Sequence, residues 1–325
     1  MRLMKLSALR LLGLVVVLCY VATACAGGAE TGGVGNQGGS ETRKVSLRGA
    51  EFTVGSKEFT EQLVLGQITL QALEARGATV NDQTGLAGTV AAREALESGE
   101  IDMYWEYTGT GWITLLGHEE PIPDAQKQYK AVAEEDLQKN QIRWLSPAPA
   151  NNTFAIAVRS EAAGILGTTS LSSLAVLSEV RPEEVTLCAA SEFLNREDGL
   201  PGLEKAYDFK IPSGNIVKMD LDQIHQTIDE GGKCNYGEVF ATDGQIKALD
   251  LTLLKDDKRF FPIYNPSLTV RKEVMDEYPE IADVFAPITQ KLNSETLQEL
   301  NAAVAVDGES PEDVARQFLR ENGFL

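Results

Sequence analysis

The sequence predicts an α/β protein made of two similarly built lobes, with the chain crossing between them twice. Three observations carry that expectation. Short β-rich runs alternate with helical patterns along most of the chain, the signature of an α/β architecture. A pair of turn motifs recurs: Gly55-Ser56-Lys57-Glu58-Phe59 is echoed by Ala189-Ala190-Ser191-Glu192-Phe193, and Tyr107-Thr108-Gly109-Thr110-Gly111 by Phe240-Ala241-Thr242-Asp243-Gly244. Phe59 lies 48 residues before Tyr107, and Phe193 lies 47 before Phe240. Finally, Ser146–Asn152 and Asp257–Pro266 are proline-bearing stretches without either period, which suits connections between lobes.

In chain order, Arg2, Lys5 and Arg10 precede an uncharged apolar run from Leu11 to Ala22. That run is short of the roughly 20 apolar residues a membrane span needs and reads as the core of a secretory leader over 1–25. Ala22-Thr23-Ala24 leads into Cys25 and resembles a bacterial lipobox, in which the cysteine takes a lipid; a plain leader with an incidental cysteine is the alternative. Residues 26–47 read as a tether, Gly-rich from Ala26 to Ser40. The first lobe is expected over 48–150 plus 262–325, the second over 151–261. Strands are expected at Glu51–Gly55, Glu100–Trp105, Thr153–Val158, Val185–Ala189, Asn215–Lys218 and Cys234–Phe240. Helices are expected at Phe59–Ala75, Val90–Leu96 and Leu221–Asp229, and from Lys272 onward the pattern is almost wholly helical. Each echoed turn thus follows a strand's carboxyl end, where open α/β sheets bind ligands. Two such lobes form a clamp, and two crossings form a hinge about which it closes.

Composition narrows the function. The formal charge of −19 argues against a nucleic-acid partner, whose phosphates demand Lys and Arg. Removing the leader, with its three cations and no acid, makes the chain more acidic still. No second stretch approaches membrane-spanning length, so a transport role requires a separate channel polypeptide. Only His118 and His225 are present, and neither sits beside a Cys or Ser motif. No metal site, cofactor or nucleophile–base constellation is read from the sequence, and an enzyme is not expected. A structural or adhesive surface protein would not need an aromatic, Gly-containing turn in each lobe. With Cys19 in the leader and Cys25 in the lipobox, Cys188 and Cys234 remain. In an oxidising compartment they read as a disulfide, with two buried thiols as the alternative.

An ordered set of motifs resembles a known family. Val54 to Gln62 (VGSKEFTEQ), Gly99-Glu100-Ile101-Asp102 and Tyr107-Thr108-Gly109-Thr110 come first. Arg196 to Gly202 (REDGLPG), Ala241 to Ile246 (ATDGQI) and Leu254 to Pro262 (LKDDKRFFP) follow. Together, over nearly all of Phe52–Leu325, they resemble the osmoprotectant-type binding proteins for glycine betaine, choline and carnitine. The resemblance implies a periplasmic-binding-protein (Venus-flytrap) fold. It also implies a monomeric, extracytoplasmic, lipid-anchored substrate-binding subunit that hands its solute to an ABC permease.

That family holds a trimethylammonium group in a box of aromatic rings. Such a cation has no N–H to donate, so ring faces select it, by roughly 0.5–2 kcal/mol each. The matching positions are Tyr107, Phe154, Phe240 and Tyr264; relatives commonly carry tyrosine at all four, so Phe154 and Phe240 depart from the pattern. Any one of these rings alone would read as core. For a ligand carboxylate the candidates are Arg196, a bidentate donor, and Thr89 beside a helix N-terminus, with Lys57 and Gln62 on the first turn. An ion pair with Glu197 or Asp198 is the alternative for Arg196, and a solvated surface position for Lys57 and Gln62. A different small solute, such as ergothioneine or an uncharged compound, is the alternative ligand.

Overall fold

In the computed structural model, which describes residues 45–325, the chain builds two five-stranded sheets. The first contains β1 (Glu51–Lys57), β2 (Thr79–Leu86), β3 (Met103–Tyr107) and β4 (Ile142–Trp144). The second contains β5 (Phe154–Arg159), β6 (Leu187–Ala189), β7 (Ile216–Lys218), β8 (Tyr236–Phe240) and β9 (Leu251–Leu253). The chain then returns to the first sheet as β10 (Pro266–Arg271). The strand orders are β2-β1-β3-β10-β4 and β7-β6-β8-β5-β9. In each sheet the first three strands run parallel and the last two pair antiparallel. The echo is therefore one of topology: β1 corresponds to β6, and β3 to β8. The leader expected over 1–25, with Cys25, and the tether as far as residue 44 lie outside the described residues. The tether ends sooner than expected at its other side. Leu47 is 3% exposed, packs into the first core and donates its N–H to Arg76 O at 2.8 Å.

The first core lies between the first sheet and helix α1 (Thr60–Glu74), whose Leu65, Ile68 and Leu73 face Phe52 and Val54 on β1. The run from Lys272 forms four helices, and two of them, Ser294–Ala305 and Pro311–Glu321, pack on α1. Both are capped in the ordinary way: Asn293 Oδ1 accepts the Thr296 N–H, and Ser310 Oγ accepts that of Asp313. Leu297, Phe318 and Leu319 are buried there, each contributing about 1.5–3 kcal/mol. The second sheet buries Ile156, Val158 and Leu187 against helices of its own.

Four strands, β2, β4, β9 and β10, were not expected. Strand β2 is mostly exposed along its length, so no apolar alternation marks it. Strand β10 begins with Pro266, tolerated because the first residue of a strand can dispense with its N–H. The strand expected from Glu100 starts at Met103 instead, because Ile101 donates its N–H to Ala95 O and so still belongs to the end of helix α2 (Gly88–Ser98).

The chain passes from the first sheet to the second between Trp144 and Phe154, and returns between Leu253 and Pro266. The two crossings are bonded to each other. Asn152 N–H donates to Tyr264 O at 3.0 Å, Tyr264 N–H to Asn151 Oδ1 at 2.7 Å, and Asn265 Nδ2 to Ala150 O at 2.6 Å. In the second lobe Cys188 and Cys234 are joined as a disulfide, with Cα atoms 5.7 Å apart.

Candidate ligand-binding cleft

A cleft of about 900 Å³ opens where the carboxyl ends of β1 and β3 face those of β6 and β8. Rings from both sides meet in it. Tyr107 ends β3, Phe240 ends β8, Phe154 begins β5 at the first crossing, and Tyr264 lies in the second crossing. Gly109 makes the last placement possible, since a Cβ there would lie 2.7 Å from the Tyr264 ring. Phe59, at the turn between β1 and α1, completes an arc. It stacks on Tyr107 at 6.3 Å and on Phe240 at 5.1 Å between centroids. Phe240 in turn meets Phe154 at 5.2 Å, and Phe154 meets Tyr264 edge-on at 5.6 Å. Two faces already carry a cation of the protein: Lys57 Nζ lies 5.3 Å from the Tyr107 centroid, and the Arg196 guanidinium 5.2 Å from that of Phe154.

Behind the rings, Glu61 on the first turn of α1 gathers four donors. Its Oε1 accepts from Tyr107 Oη and Asn152 Nδ2, both at 2.8 Å. Its Oε2 accepts from Thr242 Oγ1 at 2.6 Å and Asn301 Nδ2 at 3.1 Å. One buried carboxylate thus ties together a ring, a crossing, the second lobe's turn and the C-terminal helix Ser294–Ala305. Burial raises its pKa despite these donors. The turn docks closely: a Cβ on Gly244 would come within 2.4 Å of Ala302 Cα. Burial, and then the Glu61 carboxylate, hold the Tyr107 phenol well above its usual pKa; burial and Asp198 do the same for Tyr264, whose Oη donates to Asp198 Oδ2 at 2.7 Å.

The charged groups are paired with each other. Lys57, 3% exposed, is bound to Glu106 at 2.7 Å. Arg196 makes a bidentate pair with Asp198, at 2.8 Å through Nε and 2.6 Å through Nη2. It reaches Glu192 through Nη1 at 3.1 Å and Thr110 Oγ1 through Nη2 at 3.3 Å. The start of α2 is filled from both sides. Gly88 N–H donates to Glu58 Oε2 at 2.7 Å, and Thr89 donates to Glu192 from N–H at 2.6 Å and from Oγ1 at 3.0 Å. At the back of the cleft, burial pushes the Glu238 carboxyl up to about 8, although the Ala190 N–H bonded to it at 2.7 Å and the Arg196 charge both act downward.

Lys57, Thr89, Tyr107, Phe154, Arg196, Phe240 and Tyr264 therefore all line the cleft. Gln62 does not. Its Oε1 accepts the Lys57 N–H and its Nε2 donates to Trp105 O at 2.9 Å, so both ends of the amide brace the β1–β3 junction. Arg196 makes the ion pair with Asp198 that was its alternative reading, but the pair is buried in the cleft wall rather than set on the surface. Phe59, Glu61, Asn152 and Glu192 were not singled out. Phe59 and Glu192 stood in the echoed turns, and that repeat is the signal that marks them. Glu61 had no such signal. Among the described residues no cluster of three or more His, Cys, Asp or Glu side chains is placed to hold a metal ion, and no helix is long and apolar enough to cross a membrane.

Two lobes hinged by paired crossings, with a ring-lined cleft at the strands' carboxyl ends, define a solute-binding protein of the kind that serves transporters. The family model described as the substrate-binding domain of ABC-type glycine betaine transport systems matches residues 50–321, and the chain belongs to that family. It is 40% identical over 277 residues to a glycine-betaine-binding protein of Pseudomonas aeruginosa, covering 84% of this chain and 88% of that one. It is 35% identical to the ergothioneine transport permease/ergothioneine binding protein EgtU of Helicobacter pylori, covering 84% of this chain and 48% of that longer one. Among solved structures, apo YehZ from Escherichia coli matches with a TM-score of 0.63 and 36% identity, covering 85% of this chain and 99% of that one.

Proposed function

We propose that this chain is the extracytoplasmic, lipid-anchored subunit of an ABC importer that captures a quaternary-ammonium solute of the glycine betaine, choline or carnitine class and delivers it to the permease. The observation that carries the reading is the convergence of Tyr107, Phe240, Phe154, Tyr264 and Phe59, from both sheets and both crossings, on one cleft. Ring faces attract a cation that has no N–H to donate and that hydrogen bonds therefore cannot select. The disulfide fits an oxidising compartment, and Cys25 is the assigned lipid site. The lobes are taken as 48–150 plus 262–325 and 151–261, acting as a monomer.

A cation held between two facing rings lies within about 6 Å of each centroid, so the rings stand up to about 12 Å apart. Phe59 touches Tyr107 and Phe240 at about half that separation. Solute therefore enters an opened form in which Phe59 has parted from Phe240 across the cleft, and the lobes close around it.

Isothermal titration with glycine betaine, carnitine and choline tests the reading. Tyr107→Ala and Phe240→Ala are expected to weaken binding by roughly 1–3 kcal/mol from lost cation–π and packing contributions, while Phe240→Tyr keeps the ring and changes affinity far less. Wild-type affinity in both alanine variants, or a wild type that binds no trimethylammonium compound, would overturn it. Ergothioneine belongs in the same titration. The cleft of about 900 Å³ is near the upper end of ordinary small-molecule sites, which favours a bulkier betaine as the second reading.

A further inference from the structure

Glu192 reaches across the cleft from the carboxyl end of β6 to the first turn of α2. Its Oε1 accepts the Thr89 N–H at 2.6 Å, and its Oε2 accepts Thr89 Oγ1 at 3.0 Å and Arg196 Nη1 at 3.1 Å. It also fills the space over Gly88, where a Cβ would lie 2.6 Å from Oε1. The neighbouring amide of Gly88 is taken by Glu58, and the rest of the Arg196 fork is directed at Asp198 and Thr110. The donors that the cleft offers a carboxylate at this point are all engaged by carboxylates of the protein. Burial works against charge on Glu192, but Lys57, Arg196 and the Thr89 bonds outweigh it and hold its pKa below the ordinary range.

We infer that Glu192 occupies the cleft's carboxylate subsite from within, and so determines specificity among quaternary-ammonium solutes in favour of those without a carboxylate of their own. The inference rests on the proposed function and deepens it. A zwitterion that uses Thr89 and Arg196 must first displace Glu192, exchanging one set of charge-assisted bonds for an equal one, so the subsite adds almost nothing to its affinity. A choline-type cation leaves Glu192 in place and gains a fixed negative charge near its own positive one.

The test compares Glu192→Ala and the isosteric Glu192→Gln with wild type by titration against glycine betaine and choline. Emptying the subsite is expected to improve betaine binding by about tenfold or more, the scale of hydrogen bonds to a charged group, with choline changing by less than about threefold and the glutamine variant moving the same way by less. A betaine-to-choline affinity ratio unchanged in both variants, or both affinities falling together, overturns the inference. A second arm uses acetate as the probe and follows the Thr89 amide by NMR. The resonance is expected to shift in Glu192→Ala and to stay still in wild type. If wild type binds no trimethylammonium compound, the proposed function fails on that result alone. The acetate arm then decides the present inference, and a Thr89 amide silent in both proteins overturns it.

Discussion

Replacing Glu61 with alanine is expected to cost about 3 kcal/mol of stability and to loosen the cleft at the same time. The carboxylate accepts from Tyr107 Oη, Asn152 Nδ2, Thr242 Oγ1 and Asn301 Nδ2. Asn301 Nδ2 keeps a second acceptor, Thr242 O at 2.9 Å, so three donors lose their partner. A buried donor left unsatisfied costs about 1–3 kcal/mol. The low end applies, because both hydroxyls can turn and removal of the carboxylate also relieves its own burial. At roughly 2–4 °C per kcal/mol for a protein near this size, the melting temperature falls by about 6–12 °C. Glu61→Gln keeps the volume but turns one acceptor into a donor, and should cost less. Urea unfolding followed by circular dichroism measures the loss. A double-mutant cycle with Thr242→Val apportions it, since residues sharing one network are non-additive. Solute titration of the same variants reads the second effect, because Tyr107 loses its tether and the 241–244 turn one of its anchors. A stability within 0.5 kcal/mol of wild type, or strict additivity with Thr242→Val, would refute the reasoning; Glu61 would then be a bystander in a hinge held by packing.

The disulfide closes a loop with a sequence separation of 46, and the chain-entropy account puts its contribution at ~4 kcal/mol; the Cys188→Ala/Cys234→Ala variant should unfold correspondingly earlier in urea, whereas alkylation of both thiols in unreduced protein would contradict the bond. Glu238 fixes a pH dependence. Its carboxyl titrates near 8 when folded against an ordinary value of 4.5, so across that window the folded protein holds a proton that the unfolded chain has released, and stability falls as pH rises. Glu238→Gln, which mimics the protonated acid, should flatten that fall in urea midpoints measured across the window; identical profiles for the two proteins would reject the assignment.

The architecture was legible because it is repeated. The two turn motifs, 48 and 47 residues from aromatic to aromatic, mark the ends of β1, β3, β6 and β8, and those four strands position the cleft. Strand β2 was illegible because an exposed parallel edge strand needs no apolar alternation. Of the polar half of the site, Lys57, Thr89 and Arg196 were legible and Glu61 was not, for a different reason. Glu61 meets Thr242 and Asn301 across 181 and 240 residues, and nothing local distinguishes it from any acid at a helix start. Gln62 shows the converse: an amide next to a cleft motif looks the same whether it faces solute or, as here, braces a strand. Lys57 was considered for a ligand carboxylate, but Glu106 lies 49 residues away in sequence and 2.7 Å away in space.

The repeat is used asymmetrically, and the asymmetry bears on how the cleft works. Glu58 and Glu192 are equivalent in the two turns, yet both end at the same helix start, one from within its lobe and one from across the cleft. Phe59 faces the cleft and stacks with Tyr107 and Phe240, whereas its counterpart Phe193 is fully buried behind Phe154 at 5.3 Å. Across the cleft the lobes are therefore held by Glu192 on Thr89 and Arg196 on Thr110, both partly buried, and near the hinge by the buried Glu61–Thr242 bond. Hydrogen bonds to charged groups contribute about 1.5–3 kcal/mol each, so a few of them are enough to populate a closed form without solute. A solute can shift that equilibrium only by its difference in affinity for the two forms. One that leaves Glu192 on Thr89 adds its own contacts to the closed form. One that displaces Glu192 must first replace what held the lobes together, and its net effect on closure is smaller by that amount.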